Sequence, residues 1–442
     1  MEDIARQLSS KEVTKVPIES QAMISTFLML MAGHLLKVLA KKIQMPFTVL
    51  VCLAGFFVGL IPGVAGMDVM TKVWMDLDPH FMLFLFLPAL IFESAFNCDY
   101  YTFKMQIWKI LLLAGPMLVA STFLTAIAMY YGLGYYQEDD FPFTACVLFG
   151  AIISATDPVA VVSLLKELGA SKQVATMIEG ESLLNDGTAV VLFTIVLEVL
   201  SKDCVATPGF IATSFLRLTG GGFLCGCFFY FLLEWSLSNI HNNPVLEVNL
   251  TICFAYLTFF VAEVTALKVS GIIAIVILGL FMSRKGKTKI SSESELAVHH
   301  VWSYIGFVAE TVIFILGGMM ITFKNLELEI FTWKNFGRSM ILYVFITLIR
   351  FVLLLCLKPI MTRTGYPMDM RHVILMTWGA LRGSLGIFLA LVVSINKSVP
   401  SNIAGTILFH ASMIALYTLV INATTMPALV KKLKLSKETV IT

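Results

Sequence analysis

Apolar residues in this chain come in long unbroken runs, not in the alternation of a half-buried strand or the one-sided stripe of a soluble helix. Thirteen runs can be marked, at about 20–40, 46–66, 79–97, 107–131, 142–167, 173–200, 208–235, 246–266, 268–283, 299–322, 338–358, 372–395 and 403–430. Most are long enough for a helix to cross a hydrocarbon core of roughly 30 Å. Continuous runs favour helices over a barrel, since a helix satisfies its backbone within the segment. The chain therefore reads as an all-α polytopic membrane protein with about thirteen transmembrane helices. The eighth and ninth runs nearly abut, separated only around Lys268–Ser270.

Composition agrees with the pattern. Of 442 residues, 58% are hydrophobic and 14% charged, and mean hydropathy is +0.87. A soluble chain would carry about a quarter charged residues. The net charge of +2 gives no reason to expect a nucleic-acid partner. The eight cysteines form no CxxC pair and fall mostly inside apolar runs, so neither a disulfide framework nor a zinc site is expected. Residues 1–19 are polar and mixed in charge, unlike a cleaved signal peptide, and the first apolar run is expected to act as the insertion signal.

Loop charge sets the expected orientation. Loops after odd-numbered runs hold Lys41, Lys42, Lys104, Lys109, Lys166, Lys172, Arg284, Lys285, Lys287, Lys289, Lys358, Arg363 and Arg371, and the tail adds Lys431, Lys432, Lys434 and Lys437. The opposite side has the acidic QEDD loop and scattered lysines such as Lys72 and Lys202. Positive-inside bias then places the C-terminus in the cytoplasm and the N-terminus outside.

Against this background three acids stand out: Asp157 in SATDP, and Glu181 and Asp186 in ESLLNDGT. An ionised carboxylate in hydrocarbon costs a few kcal/mol or more, so it must face a cavity, a cation or a base. Pro158 has no N–H, frees the carbonyl of Ser154 and tends to break its helix. Such a break exposes carbonyls and helix ends beside Asp157, which suits a small cation; a hydrogen-bonded aspartate at a simple kink is the alternative. The twelfth run is interrupted by GALRGSLG, seven runs after ATDP, and matching broken helices point to an inverted-repeat transporter.

On the sixth run Ser182 and Asp186 share one helix face, and Glu181 and Asn185 share another about 100° away. Ser182 and Asp186 are therefore expected to line one oxygen-rich site with Asp157, while Glu181 needs a counter-charge. Arg382, deep in the last runs and flanked by glycines, is the expected partner, forming a structural strut. Glu93, Glu263 and Glu310 also interrupt runs, and each either lines a permeation path or pairs with a base such as Arg350.

The stretch FGAIISATDPVAVVSLLKELGASKQVATMIEGESLLNDGTAVVLF resembles the heart of the monovalent cation/proton antiporter family, the sodium/proton exchangers. FLPALIFESAF, VSGIIAIVILGL and GALRG fall in the same order and spacing, so the resemblance covers nearly the whole chain. It is strongest to the branch of plant plasma-membrane antiporters and sperm-type exchangers, whose members carry long cytoplasmic regulatory regions. After the last run this chain continues as a basic tail, 431–442, so a region of that kind is expected to be either absent or removed.

The resemblance implies an NhaA-like antiporter fold with inverted repeats and two discontinuous crossing helices. It implies Asp157 and Asp186 as the Na+ ligands, with Ser182, the Thr156 carbonyl and an outer Glu93 as further oxygens. Asn185 with Asp186 resembles the Asn-Asp pair of electroneutral exchangers, and Glu181 with Arg382 the family's ion pair. A homodimer in the plasma membrane is implied, with scaffold spans at about 20–97 and 246–322 and a moving core at about 107–200 and 338–430. The expected activity is exchange of Na+ or Li+ for H+, one for one, by alternating access, with no cofactor.

Three rivals remain: a potassium/proton exchanger of the same fold, a passive cation channel and an intramembrane aspartyl protease. For the protease, LLN precedes Asp186 where Gly-x-Gly is required, and PAL at Pro88–Leu90 lies before both aspartates instead of after them.

Overall fold

Helices fill the computed structural model, which describes residues 18–43, 45–60, 79–137, 141–167, 169, 171–201, 207–240, 242–327, 332–363 and 368–433. Residues 1–17, most of the QEDD loop, Lys72, Lys202, and the tail from Lys434 onward lie outside the described residues.

In chain order the first helices are α1 (Ile18–Ile43), α2 (Phe47–Leu60), α3 (Pro79–Asn97), α4 (Tyr100–Met105), α5 (Ile107–Leu112) and α6 (Leu118–Ile127). They are followed by α7 (Phe143–Ser154), α8 (Val159–Glu167), α9 (Lys172–Leu200), α10 (Pro208–Ser238), α11 (Pro244–Val264) and α12 (Gly271–Arg284). The last six are α13 (Ser292–Glu327), α14 (Trp333–Arg363), α15 (Met370–Trp378), α16 (Ser384–Ile395), α17 (Ser401–Tyr417) and α18 (Thr424–Lys432). Single π-turns join α5 to α6 at Leu113–Met117 and α17 to α18 at Thr418–Ala423, so each pair runs on as one rod.

Among the described residues, nine helices are long and apolar enough to cross a membrane. Four shorter apolar helices, α2, α7, α12 and α16, occupy others of the thirteen expected spans, and their length alone does not make them crossings. Where the eighth and ninth spans abut, α11 ends at Val264 and Lys268 takes a positive φ of 42°. Ser270 then caps α12 by accepting from the amide of Ile273.

Packing sorts the helices into two groups. α2 lies along α13, α3 along α12, and α10 along α12, while α11 touches both α12 and α13. The other group pairs α6 with α7, α7 with α9, α16 with α17, and α14 with α15. α10, assigned to neither group from sequence, packs on α12. Gly55 on α2 faces the backbone of Ile315, and Gly318 on α13 faces that of Cys52. Small residues let membrane helices approach closely where lipid supplies no hydrophobic drive.

Loops after the third and ninth, the seventh and ninth, and the third and fifth spans touch, which brings these four to one end. Ser283 donates to the carbonyl of Cys98 at 2.6 Å, the amide of Asn242 donates to Ser291 Oγ at 3.0 Å, and Lys172 pairs with Asp99.

Candidate ion-binding site

Two helices are broken in mid-course, and their breaks cross. One break, Ala155–Pro158, separates α7 from α8; the other, Gly379–Gly383, separates α15 from α16. The amide of Asp157 donates to the carbonyl of Leu381 at 2.9 Å, the sole bridge of this kind among the described residues. Two inward-facing helix starts and two inward-facing helix ends therefore meet at the crossing, and each carries unsatisfied backbone groups.

The helix starts surround Asp157. Its Oδ1 accepts from the amide of Val159 at 3.0 Å, which caps α8. Gly383, the residue before α16, lies so close that a Cβ there would stand 2.8 Å from Asp157 Oδ2. The partial positive charge of two helix starts thus bears on this carboxylate.

The helix ends are met by arginines. Arg382 Nη1 donates to the carbonyls of Ser154 at 3.2 Å and Ala155 at 3.4 Å, at the end of α7. Arg350, from α14, donates through Nε to the carbonyl of Met376 at 3.1 Å, in the last turn of α15. Cations at helix C-termini oppose the negative end of the dipole. The continuous rod α17–α18 serves the second break: Thr418 Oγ1 accepts from the amide of Arg382 at 3.0 Å, and Asn422 Nδ2 donates to the carbonyl of Trp378 at 3.1 Å.

The ESLLND segment of α9 pins the first break. Ser182 Oγ donates to the Thr156 carbonyl. Asn185 Nδ2 donates to the carbonyl of Ser154 at 2.8 Å, the one freed by Pro158, and to Thr156 Oγ1 at 3.0 Å. Glu181 does not pair with Arg382. Its Oε1 lies 2.6 Å from Nη2 of Arg350, and both side chains are buried. The expected Glu181–Arg382 strut is corrected on this point: Arg382 turns to the carbonyls of the broken helix, and its Nε has no partner among the described residues.

On the other side of α9 is a cavity of about 370 Å³, lined by Glu93, Thr156, Asp157, Ser182 and Asp186 among others. All five oxygen-bearing residues singled out from sequence thus face one space. Asp186 and Asp157 line this same cavity, and Asp186 makes no hydrogen bond or ion pair with any described residue. Ser182 directs its proton to Thr156, leaving its lone pairs available. Glu93 is steadied by Asn97, whose Nδ2 donates to Oε1 at 3.0 Å.

The two other intramembrane glutamates separate. Glu263 accepts from the amide of Gly271 at 2.8 Å and so caps the start of α12. Glu310 lines the cavity from α13, opposite the broken helix. Arg350 as the partner of Glu181, the residues supporting the second break and Asp157 as the group facing Gly383 were not found from sequence, because nothing in the spacing of one span tells which other span lies beside it.

Residues 25–432 match the family model described as sodium/hydrogen exchanger, transmembrane. Sodium/hydrogen exchanger 8 of Arabidopsis thaliana is 32% identical over 98% of this chain and 57% of the relative. Sodium/hydrogen exchanger 7 of that plant is also 32% identical, again over 98% of this chain but only 38% of the relative, so this chain spans much less than the whole of either. The Na(+)/H(+) antiporter NhaP of Pseudomonas aeruginosa is 34% identical over 69% of this chain and 71% of its own length. The solved structure of the sodium proton antiporter MjNhaP1 from Methanocaldococcus jannaschii at pH 8 superposes with a TM-score of 0.75 at 19% identity. It covers 94% of this chain and 99% of that one, a likeness of fold.

Proposed function

The chain belongs to the sodium/hydrogen exchanger family, and from that premise we propose that it exchanges one Na+ or Li+ for one H+ across a membrane. The observation that carries this reading is Asp186: a carboxylate halfway along the apolar helix α9, lining one cavity with Asp157, with no partner among the described residues. Burial disfavours the bare anion, so a proton or a cation must neutralise it, and each displaces the other.

In this reading the cation is held by Asp157 and Asp186, with Ser182 Oγ and the Thr156 carbonyl as further oxygens and Glu93 as an outer contact. Hard monovalent ions suit such an all-oxygen set. Asn185 is neutral and engaged by the break, so one exchangeable charge per cycle gives electroneutral coupling. The buried Glu181–Arg350 pair acts as a strut.

The group containing α5–α9 and α14–α18 moves against α1–α3 and α10–α13, carrying the site by alternating access. The cavity opens at the end where the lysine-bearing loops converge, which positive-inside bias assigns to the cytoplasm, with the N-terminus outside. A homodimer in the plasma membrane completes the reading, as inferred from the family resemblance.

The test is reconstitution into proteoliposomes containing a pH indicator, with Na+, Li+ or K+ added outside. Saturable proton movement on adding Na+ or Li+, abolished in Asp186→Asn, is expected. Coupled flux persisting in that variant overturns the site. A response to K+ alone replaces the substrate, and unsaturable, proton-independent cation flux replaces the exchanger with a channel.

A further inference from the structure

Two cavities meet on the open side of the site. The deep one holds Asp157 and Asp186; the outer one, also about 370 Å³, is bordered by Asp99, Tyr100 and Lys172. Three residues line both and so form the neck between them: Asn97, Lys166 and Glu179.

The neck is an uneven ion pair. Lys166 Nζ lies 3.7 Å from Glu179 Oε1, beyond hydrogen-bond length, with the lysine side chain 60% exposed and the glutamate 11%. The carboxylate is shielded, while the ammonium is wet and held only at the end of a flexible stem. Glu93, from α3, adds a second carboxylate to the lining of the deep cavity that Lys166 and Glu179 border. At the neck itself one acid and one base therefore face each other, with Glu93 just inside, in the deep cavity.

The contact is longer than a hydrogen bond and its lysine half is exposed to water, so the ammonium can leave without being buried or stranded. An approaching Na+ and the Lys166 ammonium are both monovalent cations, and both are attracted to Glu179. We propose that Lys166 is a tethered competitor of the transported cation: its ammonium occupies the neck carboxylate and sets the concentration at which a free cation passes inward. This rests on the exchange reading and names a residue that sets the affinity of that site. Lys166 sits in the last turn of α8, where its charge also faces a helix C-terminus, so it stays near the neck when it lets go of Glu179.

The experiment uses everted membrane vesicles bearing the full chain, in which the lysine-rich end faces the medium. Proton movement is followed as Na+ is titrated at low and at high ionic strength, with choline salts as the screening electrolyte. Lys166→Gln is expected to lower the half-saturating Na+ concentration, roughly threefold to tenfold at low ionic strength and less at high, with the maximal rate little changed. Glu179→Gln should raise it, the double variant should return near the starting value, and Lys166→Arg should leave it unchanged.

An unchanged half-saturating concentration in Lys166→Gln at both ionic strengths overturns the inference. So does a fall in maximal rate alone, which marks the pair as a strut between α8 and α9. Absence of Na+-driven proton movement in the unaltered chain overturns the exchange reading instead.

Discussion

Glu181 is bound by Arg350, with Nη2 of the arginine 2.6 Å from Oε1 of the glutamate, both buried between α9 and α14. The same guanidinium holds the carbonyl of Met376 at the end of α15. One side chain therefore ties the helix that carries Asp186 to one of the two broken helices.

Removing either member of this pair leaves a lone charge in a low-dielectric interior. Arg350→Ala or Glu181→Ala should destabilise the fold by about 3–5 kcal/mol, seen as a large drop in the detergent melting temperature. Glu181→Ala combined with Arg350→Met should recover part of the loss. If the double variant melts as low as the sum of the two singles, the residues are not energetically coupled.

Gly383 fits where it does because it has no side chain to meet Asp157. Gly383→Ala places a Cβ 2.8 Å from Asp157 Oδ2 and must push that carboxylate aside. Exchange should fall about tenfold to a hundredfold while the protein still melts cooperatively, since small displacements of a reacting group are costly. Unaltered Na+ dependence in this variant would show that Asp157 tolerates displacement.

Asn185 donates to Ser154 and Thr156, and a carboxylate at that position can donate to neither. Asn185→Asp should lower stability by about 1–3 kcal/mol for the lost donation, before any effect on charge movement is visible. Gel filtration and thermal melting check this. A variant as stable as the original and newly voltage-sensitive would reverse the expectation.

Electroneutral exchange predicts that clamping the membrane potential, with potassium and valinomycin, leaves the initial rate unchanged. A steep voltage dependence would remove the one-for-one stoichiometry.

At the loop end, the hydrogen bond from Lys172 holds the carboxyl of Asp99 below the usual carboxylate range, with the Thr102 backbone and hydroxyl adding to the effect. A lowered folded pKa gives stability that is present at neutral pH and lost as pH falls through the folded value. The wild-type melting temperature should therefore hold from neutral pH down to mildly acidic pH, and the difference from Asp99→Asn should shrink only below that. Asp99 is half-exposed, so the difference will be small. A difference that vanishes above pH ~5 would contradict it, since the unfolded carboxyl titrates at about 3.9.

The breaks were legible because their cause is local: Pro158 removes a hydrogen bond, and the glycines of GALRGSLG loosen the backbone wherever the helix goes. The face shared by Ser182 and Asp186 was legible for the same reason, helical period. Glu181's partner was not. Two buried arginines were available, and the choice depends on which spans lie against α9, a tertiary fact. Glu263 was likewise left open between lining a path and pairing with a base, whereas its carboxylate caps the helix that starts eight residues later.

The single backbone bond from Asp157 to Leu381 yokes two segments far apart in the chain. Neither broken helix can tilt or slide alone without parting that bond, so the four half-helices are yoked at one point. A disturbance introduced in either half of the sequence should then be felt at the same pair of aspartates, which makes the crossing the place where both halves of the fold meet.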